Sequence, residues 1–284
     1  MRIFLIPNYG FCFGVKRSID IAYHTIKNNK TPAYTWGHII HNPQVVAQLE
    51  KTGVSALDSL KGITPGKLII RSHGVSPEFI PKAQKMGFEI IDATCPFVQK
   101  AQEYAKRLCN EGYNVVVIGA AEHPEVQGII GHTNFRATVI NEMKAIAKLP
   151  RVQKLGIVSQ TTLSPEIFAE MVGKLLSKAE EVRVYNTICR AVISRQQETL
   201  ELAKKVKLMI IVGGKNSANT KRLAELARSQ GCEAYQIETK DEIKKQWFKN
   251  KLSVGVTAGT STPDWIILEV VQAIKNLSLS KKKP

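Results

Sequence analysis

The chain has 284 residues, 44% of them hydrophobic and 23% charged, which is the composition of a folded protein with one to three domains. Its formal net charge of +16 admits an acidic partner, whether nucleic acid, a phosphorylated metabolite or an acidic electron carrier, and does not choose among them. Five cysteines in so long a chain argue against a disulfide framework, and no apolar run approaches the ~20 residues of a membrane span.

Met1 leads within one residue into a strand pattern, with no signal or transit segment, so a reducing cytoplasmic location is expected. Taken in order, the chain repeats one theme: an apolar run, a polar loop, a helical pattern. Residues 2–6 lead through Gly10-Phe11 to Cys12 and a helix over 15–26. Residues 33–36 lead through 38–43, with His41, to a helix ending near 51. Residues 67–71 lead through Ser72-His73-Gly74 to a helix ending near 86. Residues 87–91 lead through Asp92-Ala93-Thr94-Cys95-Pro96 to a helix over 97–110. The theme continues with strand 114–118 and the loop Glu122-His123-Pro124-Glu125. Strand 154–158 meets Ser159-Gln160-Thr161-Thr162, and strand 183–185 meets Asn186-Thr187-Ile188-Cys189. Strand 208–212 meets the loop 213–220, and strand 253–256 meets the loop 257–264, each followed by a helix. Continuous runs such as Val115-Val116-Val117-Ile118 suit parallel strands buried on both faces. Asn42-Pro43, Ser76-Pro77, Ser164-Pro165 and Thr262-Pro263 each read as a capping side chain before a proline at the first helical position.

Cys12, Cys95 and Cys189 occupy the same place, where a strand hands over to a helix, so three similar α/β modules are expected: residues 1–94, 95–188 and 189–277, with a disordered basic tail over 278–284. The N–H groups of a first helical turn favour a thiolate. In parallel α/β sheets, ligands gather at the C-terminal ends of strands. Three thiolates with no fourth equivalent suit two centres: a Cys₃ zinc site with a water, or a [4Fe–4S] cluster with one iron lacking a protein ligand. Cys109, late in a helix, and Cys232, in a turn, read as structural. His41, His73, His123, Ser217, Asn219 and Ser261 read as an anion pocket built on helix N-termini. Glu125 is either a helix-start carboxylate or a proton donor, and Thr161 either a cap or a hydroxyl that orients it. Gly213-Gly214-Lys215-Asn216-Ser217 lacks the P-loop frame, and no G-x-G-x-x-G follows a strand. A zinc hydrolase acting on a phosphorylated metabolite is the main competing reading; a nucleic-acid-binding module lacks any recognition motif to support it.

Nine of these segments, in order, resemble the 4-hydroxy-3-methylbut-2-enyl diphosphate reductase family: Gly10 to Val15, His38 to Pro43, Ile70 to Gly74, Asp92 to Pro96, Glu122 to Glu125, Ser159 to Thr162, Asn186 to Cys189, Lys215 to Ser217 and Thr257 to Ser261. The resemblance implies three α/β modules in pseudo-threefold arrangement around a central metal cluster. It implies the last, reductive step of non-mevalonate isoprenoid biosynthesis. It implies a [4Fe–4S] cluster on Cys12, Cys95 and Cys189, and a diphosphate held by His41, His73, His123, Ser217, Asn219 and Ser261. Glu125 would carry the proton relay beside Thr161 and His123. A ferredoxin or flavodoxin is the expected electron donor, with no membrane or nucleic-acid partner. Ala218 stands where many relatives carry a serine, so only its backbone N–H would serve there. Arg190 follows the cluster ligand Cys189, in a segment that also departs from the family pattern.

Overall fold

The computed structural model describes residues 1–27 and 31–279. Strands and helices alternate: β1 (Arg2–Leu5), α1 (Phe13–Ile26), β2 (Ala33–Trp36), α2 (Pro43–Lys51), β3 (Val54–Leu57), β4 (Lys67–Ile70), α3 (Phe79–Lys85), β5 (Glu89–Asp92), α4 (Pro96–Asn110), β6 (Asn114–Ile118) and α5 (Pro124–Gly131). There follow β7 (Thr138–Ile140), α6 (Met143–Ala147), β8 (Val152–Ser159), α7 (Pro165–Leu175), β9 (Ala179–Val184), α8 (Arg190–Ala203), β10 (Leu208–Val212), α9 (Ala218–Ser229), β11 (Glu233–Ile237), β12 (Ser253–Ala258) and α10 (Asp264–Leu279). Of the expected basic tail, residues 280–284 lie outside the described residues, and residues 278 and 279 belong to α10. No helix among the described residues is long and apolar enough to cross a membrane.

The strands form three four-stranded, wholly parallel sheets, with orders β3-β2-β4-β5, β7-β6-β8-β9 and β11-β10-β12-β1. These are one topology used three times. In each, the first and third strands of the unit lie inside, the second forms one edge, and the fourth forms the other. The third sheet takes its fourth strand from the start of the chain, with Arg2 paired to Ser253 and Leu5 to Val256. The sequence expectation placed residues 2–6 in the first module; strand pairing instead assigns β1 to the sheet of the C-terminal module. Nothing local in a four-residue run of alternating exposure dictates its partner, because pairing is settled by the edge that a distant sheet leaves open.

The inner strands explain why the sheets form. Ile69 and Ile70 in β4, Val117 and Ile118 in β6, and Met209 and Ile210 in β10 are fully buried, and burial stabilises each such side chain by about 1.5–3 kcal/mol. The described residues divide into two compact units. The larger, residues 14–40 and 46–189, holds the first two sheets; here Ala101, Ala105 and Leu108 of α4 pack on Val115, Val117 and Val158. The helix that leaves the first sheet's edge strand thus covers the second sheet. The smaller unit, residues 1–13, 41–45 and 190 onward, holds the third sheet; Leu202 and Ala203 of α8 pack there on Met209 and Ile211.

Two of the four expected proline caps form as read. Asn42 Oδ1 accepts from Val45 N at 3.0 Å, and Ser164 caps α7 through Ile167 N. The other two do not. After Ser76 the chain makes a turn, with Phe79 N donating to the Ser76 carbonyl, and α3 starts two residues beyond Pro77. Thr262 Oγ donates to the Val212 carbonyl at 2.9 Å, tying its loop to β10 instead of capping α10.

Candidate active site

Each cysteine of interest follows an edge strand and immediately precedes a helix: Cys12 after β1, Cys95 after β5, Cys189 after β9. Cys95 is the N-cap of α4, in extended conformation, with Pro96 at the first helical position. Proline lacks the N–H that would go unpaired there, which is why the helix starts at that point. Main-chain bonds anchor all three loops within their own units. Cys95 N donates to the Ser72 carbonyl (3.0 Å), Cys189 N to the Thr161 carbonyl (2.9 Å) and Cys12 N to the Thr260 carbonyl (3.0 Å). In every case the acceptor lies in the loop after the third strand of the same sheet, so each cysteine is fixed against a neighbouring polar loop.

In the larger unit the Cys95 loop is held from α1. Ser18 Oγ donates to the Ala93 carbonyl (2.8 Å) and Arg17 Nη1 to the Thr94 carbonyl (3.0 Å), while Asp92 accepts from Thr94 N (2.8 Å). Gly14 lies directly against the Cys95 thiol; a Cβ there would sit 2.3 Å from Sγ. Sequence reading passed over this face of α1, although small buried residues at Gly14, Ser18 and Ala22 mark close backbone approach at helical spacing.

The same unit brings His73, His123, Glu125 and Thr161 to the strand ends. The rings of His73 and His123 meet edge to face with centroids 5.5 Å apart. His123 caps α5, its Nδ1 accepting from Glu125 N at 3.2 Å; a neutral ring then carries its proton on Nε2 and presents a donor. Glu125 is 2% exposed. Its carboxyl accepts from Thr161 N (2.6 Å) and from Thr161 Oγ1 (2.9 Å). Burial pushes its pKa up to about 7, and the two bonds from Thr161 oppose that rise. At neutral pH this is a buried acid poised between its two forms.

In the smaller unit Ser217 and Asn219 follow β10 and Ser261 follows β12, while His41 belongs to this unit through the short segment 41–45, which comes after β2. Ser261 Oγ reaches the His41 carbonyl at 3.4 Å. The same carbonyl lies so close to Gly214 that a Cβ there would come within 2.4 Å of it. Ser217 caps α9 by accepting from Thr220 N (3.2 Å), and Ala218 and Asn219 open the helix. Asn219 is 3% exposed, and both polar atoms of its amide lack a hydrogen-bond partner among the described residues. A buried amide of this kind suits a polar ligand.

Cys109 and Cys232 lie away from these loops. Cys109 Sγ bonds the Thr133 carbonyl and accepts from Arg136; Cys232 is buried, with Sγ donating to the Val206 carbonyl. Arg190 is exposed on α8, whereas Arg195, one turn and a half further on and not singled out by sequence reading, is buried.

Comparison with known proteins extends this over the whole chain. The LytB protein family matches residues 3–275. A 4-hydroxy-3-methylbut-2-enyl diphosphate reductase from Geobacter metallireducens is 48% identical over 99% of this chain and 99% of its own length. The reductase of the same name from Geobacter sulfurreducens is 47% identical over 99% and 100%. Among solved structures, an (E)-4-hydroxy-3-methyl-but-2-enyl diphosphate reductase, described as the terminal enzyme of the non-mevalonate pathway, is 40% identical. It has a TM-score of 0.72 and covers 97% of this chain and 100% of its own. The E-1-hydroxy-2-methyl-but-2-enyl-4-diphosphate reductase of Plasmodium falciparum is 31% identical, with a TM-score of 0.93 over 97% of this chain and 88% of its own. With the family matched almost from end to end, and relatives near half identity over equal lengths, this chain belongs to the LytB protein family.

Proposed function

We propose that the protein is a 4-hydroxy-3-methylbut-2-enyl diphosphate reductase of isoprenoid biosynthesis. It takes (E)-4-hydroxy-3-methylbut-2-enyl diphosphate, two electrons and two protons, releases water, and yields isopentenyl and dimethylallyl diphosphates. The observation that carries this reading is the threefold recurrence of one edge-strand–cysteine–helix junction in a chain so similar to reductases of that name.

The donor set fits a [4Fe–4S] cluster held by Cys12, Cys95 and Cys189. Soft thiolates suit iron–sulfur centres. Gly14, two residues along the chain from Cys12, leaves no room for a side chain beside Cys95 Sγ, as a ligand loop packed to its limit requires. When bound, such a cluster supplies electrons and a Lewis-acidic iron. The diphosphate is assigned to His41, His73, His123, Ser217, Asn219 and Ser261, together with the Ala218 N–H. These residues combine imidazole, hydroxyl and amide donors with helix N-termini that favour anions. Glu125, kept partly protonated by burial, holds the proton to be delivered, and Thr161 fixes the carboxyl through its two hydrogen bonds.

The reaction itself is the test. Anaerobic protein with a chemical one-electron reductant is expected to convert the substrate to both products. Release of inorganic phosphate without reduction would instead indicate a hydrolase.

Packing around the ligand loop gives a second expectation. Gly14→Ala would drive a methyl group into Cys95 Sγ. Overpacking of this kind costs about 1–3 kcal/mol, and iron content is expected to fall while secondary structure by circular dichroism stays. Full iron loading in the variant would show that the Cys95 loop has slack.

We assign the electron donor to a small acidic protein such as a ferredoxin or flavodoxin, because a net charge of +16 attracts an acidic carrier. Turnover driven by such a carrier is expected to slow as salt rises, since screening weakens steering. Salt-independent turnover under limiting donor would remove the electrostatic contribution.

A further inference from the structure

Arg195 is 4% exposed. Its Nη1 donates to the Ala258 carbonyl at 2.6 Å and its Nη2 to the Gly10 carbonyl at 3.2 Å. Gly10 stands two residues before Cys12. Cys12 N in turn donates to the Thr260 carbonyl, two residues beyond Ala258. The guanidinium and the Cys12 N–H therefore join the same two backbone segments, 10–12 and 258–260, at both ends. Gly10 itself has φ +85°, and a Cβ there would fall 1.7 Å from Asp264 Oδ1, so this turn has little freedom to relax. The planar fork of arginine spans two carbonyls in fixed geometry, which a lysine ammonium does not.

The charge matters as much as the bracing. Burial holds the Arg195 guanidinium below its ordinary pKa, with Glu198, Cys12 and Asp264 opposing that shift. An arginine stays protonated nonetheless. Two neutral carbonyls do not cancel its charge. Glu198, a turn along α8, has its carboxylate engaged by Asn8 and Ser194. Cys12 therefore sits in the field of a permanent buried cation with two carboxylates close by, Glu198 and Asp264.

We propose that Arg195 is a positioning residue for Cys12: it braces the turn that bears the thiol and holds a fixed positive charge beside it, making a metal centre on that thiolate easier to reduce. The second half rests on the assignment of Cys12 as a cluster ligand. Net charge around an iron–sulfur cluster is one determinant of its potential, and residues behind a ligand tune it.

The test is a spectroscopically monitored redox titration of anaerobic, cluster-loaded protein. Arg195→Gln is expected to move the midpoint to more negative potential, and Arg195→Lys, which keeps the charge, to restore it towards the wild-type value. Glu198→Gln, which removes one of the two carboxylates acting on Arg195, is expected to move it the opposite way. A wild-type midpoint in Arg195→Gln at full iron content would overturn the proposal. Should that variant fail to fold, an unmoved midpoint in Glu198→Gln would do so. A second readout needs no cluster. In iron-free protein, the ratio of Cys12 alkylation rates by anionic iodoacetate and neutral iodoacetamide, followed by mass spectrometry, is expected to fall in Arg195→Gln. If Cys12 proves not to be a ligand, that ratio still shifts while iron content ignores Cys12→Ser. An unchanged ratio means that Arg195 exerts no field at the thiol.

Discussion

Replacing Glu125 with glutamine is expected to lower turnover by about 10²- to 10⁴-fold, the usual contribution of a positioned acid or base, with substrate binding nearly intact. The amide preserves the shape of the site. Its oxygen can accept from Thr161 N and its nitrogen can donate to Thr161 Oγ1, the two atoms that now hold the carboxyl. What it lacks is a proton to give. The pH profile separates this role from a structural one. Burial raises the Glu125 pKa from 4.5 to about 7, so the protonated form prevails below that pH and is lost above it. Wild-type kcat/KM is then expected to fall about tenfold per pH unit on the alkaline side of 7, with the residual activity of Glu125→Gln free of that limb. Near-normal turnover in the variant would leave Glu125 as a carboxylate that merely complements the start of α5.

Cys95→Ser is expected to abolish activity and bleach the protein without unfolding it. Serine is among the preferred N-cap residues. Cys95 is an N-cap in extended backbone (φ −61°, ψ 132°), so the substitution suits α4 at least as well as the native residue. The oxygen is also smaller than sulfur and meets no clash with Gly14. Only the thiolate is lost, and a serine hydroxyl at neutral pH is a poor ligand for iron. Circular dichroism of wild-type shape with absorbance near 400 nm gone is the expected pair of results. A retained visible chromophore would remove Cys95 from the ligand set.

Much of this architecture was legible in the chain. Val115-Val116-Val117-Ile118 read as a doubly buried strand because it is one, and Cys95-Pro96 read as a helix start because proline is tolerated in a helix's first turn and disrupts its interior. The topology was less so. The equivalence of Cys12 to Cys95 and Cys189 was visible, but the reason was not: β1 completes the sheet of β10, β11 and β12, so Cys12 follows a fourth strand just as the other two do. Strand partners over such separations are a tertiary outcome that local pattern does not encode.

The site divides similarly. Histidines and cysteines announce themselves by chemistry and by loop position. Gly14, Ser18 and Arg195 do not, since each works through backbone carbonyls or through the space it leaves open, and such roles exist only once the loops are folded. Arg190 caught attention by adjacency to Cys189 and is exposed, whereas Arg195 falls on the buried face of α8. Helical periodicity through Val192, Arg195, Gln196 and Thr199 was the available signal, because an arginine on an otherwise buried face must have partners. Glu125 was recognised as a candidate, yet its raised pKa comes from a burial that no local pattern gives.

Counting iron and acid-labile sulfide on anaerobically purified protein tests the central claim most directly. About four of each per chain, lost in the serine variants of Cys12, Cys95 and Cys189 but kept in those of Cys109 and Cys232, is the expected result. Colourless protein carrying one zinc per chain, or a full iron count that survives loss of any of the three cysteines, would contradict it.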